Sequence, residues 1–146
     1  MDDALAFSAL VMTLSGHLVQ EIHGRVARQG FEDLRPAHGF AFARIAAGDA
    51  TAGALAEHLG VTKQAAAQLV EELVRKGYVE RRPHPRDARA RLLALTTSGW
   101  AATRAADLAA REAVAPWRAA LGEERFAALV ADLGHITPAG PVRPAW

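Results

Sequence analysis

The chain has 146 residues, 51% of them hydrophobic, with a formal net charge of +1. That suits one compact domain with a real core. Cysteine is absent, which excludes a disulfide framework, a thiolate zinc site and cysteine-based redox sensing.

In chain order, residues 3–29 carry Leu5, Val11, Leu14, Leu18, Ile22 and Val26 at spacings that make one stripe along a long helix. Gly30 is its stop. "LRPAHGFAFARIAAG" predicts a second helix, with Pro36 at its first position and Gly48 past its end. "GALAEHLG" is a short helix closed by Gly60. Gly53 stands where such a helix usually has a Ser or Thr cap. Thr62 is a good N-cap for "KQAAAQLVEELVRKG" and Gly77 a good C′ residue. Ala66, Leu69, Val70, Leu73 and Val74 form that helix's buried face, opposite Lys63, Gln64, Ala67, Gln68, Glu71 and Arg75.

Residues 78–82 and 91–95 alternate as two antiparallel strands. Thr96 or Thr97 caps a long helix through about Trp117, with a break or kink expected at Pro116. "GEERFAALVADLGHI" is a last helix, its N-terminal dipole complemented by Glu123 and Glu124. The Pro-rich tail 137–146 is extended, and Trp146 is expected to pack on a partner subunit.

Charge is concentrated. Residues 62–91 hold eight basic residues (Lys63, Arg75, Lys76, Arg81, Arg82, Arg86, Arg89, Arg91) against four acidic ones, so the rest of the chain is net negative. One basic module in a near-neutral chain points to a localised anionic partner. The six histidines show no metal-ligand spacing. No apolar run reads as long enough to span a bilayer, and the N-terminus lacks a basic signal-peptide start, so a cytoplasmic location is expected.

Short helix, tight turn, capped helix and basic hairpin make the plan of a winged helix-turn-helix. Thr62 and the free N–H groups behind it offer a phosphate site, and Lys63 adds charge. Gln64 and Gln68, one turn apart, can pair with adenine. Arginines of the hairpin tip can follow the backbone or enter a narrow minor groove. Arg81 and Arg82 alternate across the first strand and face opposite sides. Arg91 reads as a strand-face or ion-pair residue and His84 as a solvated loop residue.

The stretch "LAEHLGVTKQAAAQLVEELVRKGYVERRPHPRDARARLLALTTSGW" resembles the MarR family of bacterial transcriptional regulators. Leu55-Ala56, Leu59-Gly60, Thr62-Lys63-Gln64, Lys76-Gly77, Pro85-x-Asp87-x-Arg89 and Leu95-Thr96 with Gly99 carry the likeness. It implies a mainly α protein of about six helices with a small β-hairpin wing. One domain, 1–146, would hold a winged-helix core at about 36–96. Helices at about 3–29 and 97–136 would interlock in a homodimer. It also implies DNA contacts from Thr62, Lys63, Gln64, Gln68, Arg82, Arg86 and Arg89, with Asp87 orienting Arg89. Ala88 departs from the arginine common in this wing.

The partner implied is a pseudo-palindromic double-stranded operator. The family default is repression relieved by a small aromatic or carboxylate effector, with no cofactor and no metal. In relatives that respond to such compounds the pocket lies between the first, second and fifth helices, which makes His17, His38, Phe42 and Trp100 candidates. Each of these also fits a purely structural role. Two other classes, a protein-contact module and an enzyme, fit the sequence less well. A protein-contact module would not need the basic wing beside the glutamine face. An enzyme lacks a phosphate loop, a nucleophile elbow and a carboxylate pair.

Overall fold

The computed structural model describes residues 2–142, which hold six helices and two strands. The order is α1 (Asp3–Arg28), α2 (Pro36–Ala46), α3 (Ala52–Leu59), α4 (Lys63–Arg75), β1 (Val79–Pro83), β2 (Arg91–Leu95), α5 (Thr97–Leu121) and α6 (Glu123–Ile136). The chain forms two compact units. One holds the residues up to Asp33 and Ala105–Pro138. The other holds Leu34–Arg104 and, of the described residues after Pro138, 139–142.

In the first unit Asp2 caps α1 by accepting from the Ala4 N–H at 3.1 Å. Val26, Ala105, Ala109 and Ala113 are buried. Arg25 pairs with Glu21 on its own helix and with Glu112 on α5, at 3.4 and 3.0 Å. Gln29 Nε2 donates to the Ala105 carbonyl at 3.2 Å. Half of the expected α1 stripe, Leu5, Val11 and Leu14, is not covered. Leu10 is exposed too, as are Leu129, Val130, Leu133 and Ile136 on α6. By length and composition α1 is apolar enough to cross a membrane, which corrects the expectation that no such run exists.

Pro116 does not end α5, contrary to expectation; the helix runs through it to Leu121. Proline removes one N–H and leaves the carbonyl four residues back without a partner. Here that carbonyl belongs to Glu112, and Glu112 and Pro116 are both exposed, so water can take the bond.

The second unit is built on strong local signals. Pro36 opens α2, and Gly48 follows it with φ 92°. The cap of α3 is Thr51, whose Oγ1 accepts from the Ala54 N–H at 3.1 Å. The helix therefore starts at Ala52, and Gly53 lies inside it and not at the cap. Gly60 takes a left-handed conformation (φ 66°), turning the chain toward Thr62. Thr62 Oγ1 caps α4 by accepting from the Ala65 N–H at 3.1 Å.

Gly77 (φ 83°) then leads into the hairpin. Val79 pairs with Leu95, Arg81 with Leu93 and Pro83 with Arg91. Leu93 also bonds back to Ala50, N to O at 2.8 Å, which joins the hairpin to the loop before α3. The buried core includes Phe42, Ile45, Leu55, Leu59, Val70, Leu73, Val79, Leu93 and Leu95. Thr96 caps α5, its Oγ1 accepting from the Gly99 N–H at 3.1 Å and donating to the Gly77 carbonyl at 2.6 Å. Of the tail, Val142 N–H donates to the His58 carbonyl at the end of α3, within its own chain, at 2.9 Å. Trp146, expected to pack on a partner, lies outside the described residues.

Candidate nucleic-acid interface

On α4 the sequence splits cleanly into two faces. Ala66, Val70 and Leu73 are buried, while Lys63, Gln64, Ala67, Gln68, Glu71 and Arg75 are exposed. Thr62 ends the helix on a satisfied cap, and the N-terminal amides point the positive end of its dipole outward.

The strand register sorts the wing arginines. Positions 79, 81 and 83 share a face with 91, 93 and 95. Val79, Leu93 and Leu95 send that face into the core. Arg81 and Arg91 extend it past the core's edge, beside α4. There, with Lys63, His84, Asp87, Arg89 and the Ala67 face of α4, they line a hollow of about 590 Å³. Glu80 and Arg82 occupy the other face and pair with each other, Arg82 Nε donating to Glu80 at 2.8 Å.

So Arg82, an expected DNA contact, is committed to an exposed ion pair. Arg81 and Arg91 sit beside Lys63 and Arg89 instead. The apolar alternation of Val79, Leu93 and Leu95 carried the signal for both.

At the tip, Asp87 Oδ1 accepts from the backbone N–H of Arg89 at 2.9 Å, and the Ala90 N–H bonds the Asp87 carbonyl at 3.2 Å. Asp87 therefore orients Arg89 by shaping the loop, through the main chain. His84 Nδ1 accepts from the Arg86 N–H at 3.0 Å and so braces the same turn. Arg86 and Arg89 are exposed.

The four candidate effector residues lie apart in role. His17 stacks at 6.2 Å from Trp117 in the first unit. In the second unit Phe42 packs in the core, 5.7 Å from the Tyr78 ring. Trp100 is exposed. His38 is fully buried in a polar cluster that sequence reasoning missed.

In that cluster His38 Nδ1 accepts from the Arg35 N–H at 2.9 Å, so the ring proton sits on Nε2, 3.5 Å from Glu72. Glu72, on α4, also takes Arg35 at 2.7 Å and Lys76 at 3.0 Å. Burial lowers the His38 pKa, and the charges of Arg35 and Lys76 lower it further against the opposing pull of Glu72. For Glu72, burial works against the charged form, but hydrogen bonds from Lys76 and Arg35 win and hold its pKa at about 2. No group of three or more His, Cys, Asp or Glu among the described residues has the arrangement of a metal site.

Residues 33–90, which include α2, α3, α4, β1 and the tip of the wing, match the profile of the MarR family. No curated protein matches the chain. Among solved structures, a mutant MarR from E. coli complexed with operator DNA is 23% identical, covers 94% of this chain and 97% of its own, and superposes with a TM-score of 0.74. The RV1404 protein of Mycobacterium tuberculosis is also 23% identical, with 95% and 99% covered and a TM-score of 0.75. A mutant MepR of S. aureus bound to oligodeoxyribonucleotide is 23% identical, with 89% and 94% covered and a TM-score of 0.64. Residues 33–90 thus match the MarR family in sequence, and the chain shares the winged helix-turn-helix fold of these structures.

Proposed function

We propose that the chain is a sequence-specific double-stranded DNA-binding regulator that acts in the cytoplasm as a homodimer and represses transcription until a small aromatic or carboxylate effector releases it. One observation carries the reading: beside the exposed Gln64 and Gln68 of α4, Lys63, Arg81, Arg89 and Arg91 line one hollow between that helix and the wing. The E. coli and S. aureus relatives were crystallised with DNA, which supports the same partner here.

Gln64 and Gln68 read base edges in the major groove. Thr62, Lys63 and the α4 N-terminus hold phosphate. Arg86 and Arg89, with Arg81 and Arg91 behind them, carry the wing to the flanking minor groove, and Arg82 contributes only if its bond to Glu80 opens. Residues 36–96 are the DNA-binding core. Residues 3–29 and 97–136 supply the dimer helices. The exposed apolar side chains of α1 and α6 are what a second copy covers, which accounts for the composition of α1 without a membrane. The effector reading keeps His17, His38, Phe42 and Trp100 as its candidate contacts.

The test is affinity against salt. The probes are the genomic duplex that the purified protein retains and a random duplex of equal length. Wild type binds both with a steep salt slope and prefers the first. Gln68→Ala loses about 1–3 kcal/mol on the retained duplex and little on the random one. Arg86→Ala and Arg89→Ala weaken both, and Arg86→Ala lowers the slope by about one counterion. Salt-independent binding, or none, overturns the reading.

A further inference from the structure

Glu72 is an acidic side chain on the helix that presents Gln64 and Gln68, yet it does not face outward with them. Its carboxylate is drawn to the flank of α4 by Arg35 at 2.7 Å and Lys76 at 3.0 Å, with His38 Nε2 at 3.5 Å. Arg35 is the N-cap residue of α2, and its N–H bonds the His38 ring. A charge-assisted clamp therefore ties the last turn of α4 to the start of α2.

The other anchors of α4 are apolar: Ala66, Val70 and Leu73. Apolar contacts are non-directional. They hold α4 close to its neighbours but leave rotation about its axis weakly specified. The short bond from Arg35 to the Glu72 carboxylate is directional and about twice as strong as a neutral one, and Lys76, on α4 itself, holds the carboxylate in place for it. Gln68 and Glu72 are four residues apart, on one side of the helix. Any rotation that relaxes Glu72 carries Gln68 with it. A turn of about 15° moves a side-chain tip by about 1.5 Å, beyond what a bidentate base contact tolerates.

We propose that Glu72 is a specificity-determining positioning residue, which sets the rotation of the recognition helix through Arg35 and His38 at the start of α2 so that Gln64 and Gln68 meet base edges. The inference rests on the DNA-binding reading above. A carboxylate that only repelled phosphate would act differently, weakening every duplex equally and reading nothing.

The experiment uses the full-length protein, the duplex enriched by wild type from a random-sequence pool, and an unselected duplex of equal length. Glu72→Gln keeps the shape and removes the charge. The expected result is a fall of about tenfold in the enriched-to-unselected affinity ratio, with the salt slope on both duplexes rising by about one. Arg35→Met, at a more exposed position, should lower the ratio in the same direction. If Glu72→Gln tightens both duplexes equally and the ratio stays at the wild-type value, the proposal is wrong. Should Glu72→Gln not fold, Arg35→Met decides: a lowered ratio supports the clamp and an unchanged one overturns it. A wild-type protein that binds neither duplex overturns the DNA-binding reading, and this proposal with it.

Discussion

Gly99→Ala tests how the wing is joined to α5. A methyl built at residue 99 lies roughly 1 Å inside contact with the Tyr78 carbonyl oxygen. It also approaches Leu95 Cβ and Cδ2 at 3.2 Å each. The obstacle is backbone, which cannot swing aside as a long side chain would. The start of α5 must move, and the Thr96 N–H bond to the Tyr78 carbonyl (3.0 Å) and the Thr96 Oγ1 bond to the Gly77 carbonyl (2.6 Å) are stretched with it. Overpacking costs about 1–3 kcal/mol, and each weakened hydrogen bond about 1 kcal/mol. Alanine returns at most about 1 kcal/mol through its better helix propensity. The net loss is about 3 kcal/mol, or roughly 6–12 °C in melting temperature for a chain of this size. Thermal denaturation at one fixed protein concentration measures it, since association would otherwise shift the midpoint. A variant as stable as wild type would show that the close approach of Gly99 to Tyr78 does not constrain the fold.

Acid should destabilise the chain in two stages. The His38 pKa is lowered from 6.5, so the unfolded chain takes up a proton that the folded one resists, and stability declines as pH falls below about 6.5. Glu72, at about 2 against an ordinary 4.5, adds stability that is complete above pH 4.5 and lost as pH falls toward 2, about 2 kcal/mol after screening at the exposed Arg35. Urea titrations across pH should show both slopes, and Glu72→Gln should flatten the lower one. Thr62→Ala removes the cap of α4 and should cost about 1 kcal/mol in urea denaturation, with Thr62→Ser restoring most of it. Leu133→Arg should shift light scattering from dimer to monomer at micromolar concentration; an unchanged mass would mean that α6 is not in the interface.

Helix ends were the most legible part of the fold, because each rests on one residue's backbone chemistry. Gly30, Gly48, Gly60 and Gly77 all stand at positive φ where a helix stops, and Thr62 caps α4 as its sequence implies. Thr51 was missed for a local reason. Alanine on both sides of Gly53 blurs where the helix begins, and only the bond to Ala54 reveals the cap. Pro116 misled because its penalty depends on whether the carbonyl it frees can reach water, which no local pattern states. The Glu72 clamp could not be seen at all: Arg35 and Glu72 are 37 residues apart, and periodicity carries no information about such a pair. Arg81 and Arg91 were within reach, since the register that buries Leu93 and Leu95 also aims both arginines toward α4.

The first unit joins an early and a late stretch of the chain, Asp3–Arg28 and Ala105–Pro138, whereas nearly all of the second lies in one uninterrupted run, Leu34–Arg104. During synthesis that run leaves the ribosome with all its strands and most of its helical partners present. It can therefore fold while the rest is still being made. α1 precedes that run and meets its partners on α5, Glu112 and the Ala105 carbonyl, only after the run has emerged, while Leu5, Leu10 and Met12 stay exposed even then. The interval before α5 emerges is when α1 lacks these partners, and when a chaperone would have the most to hold.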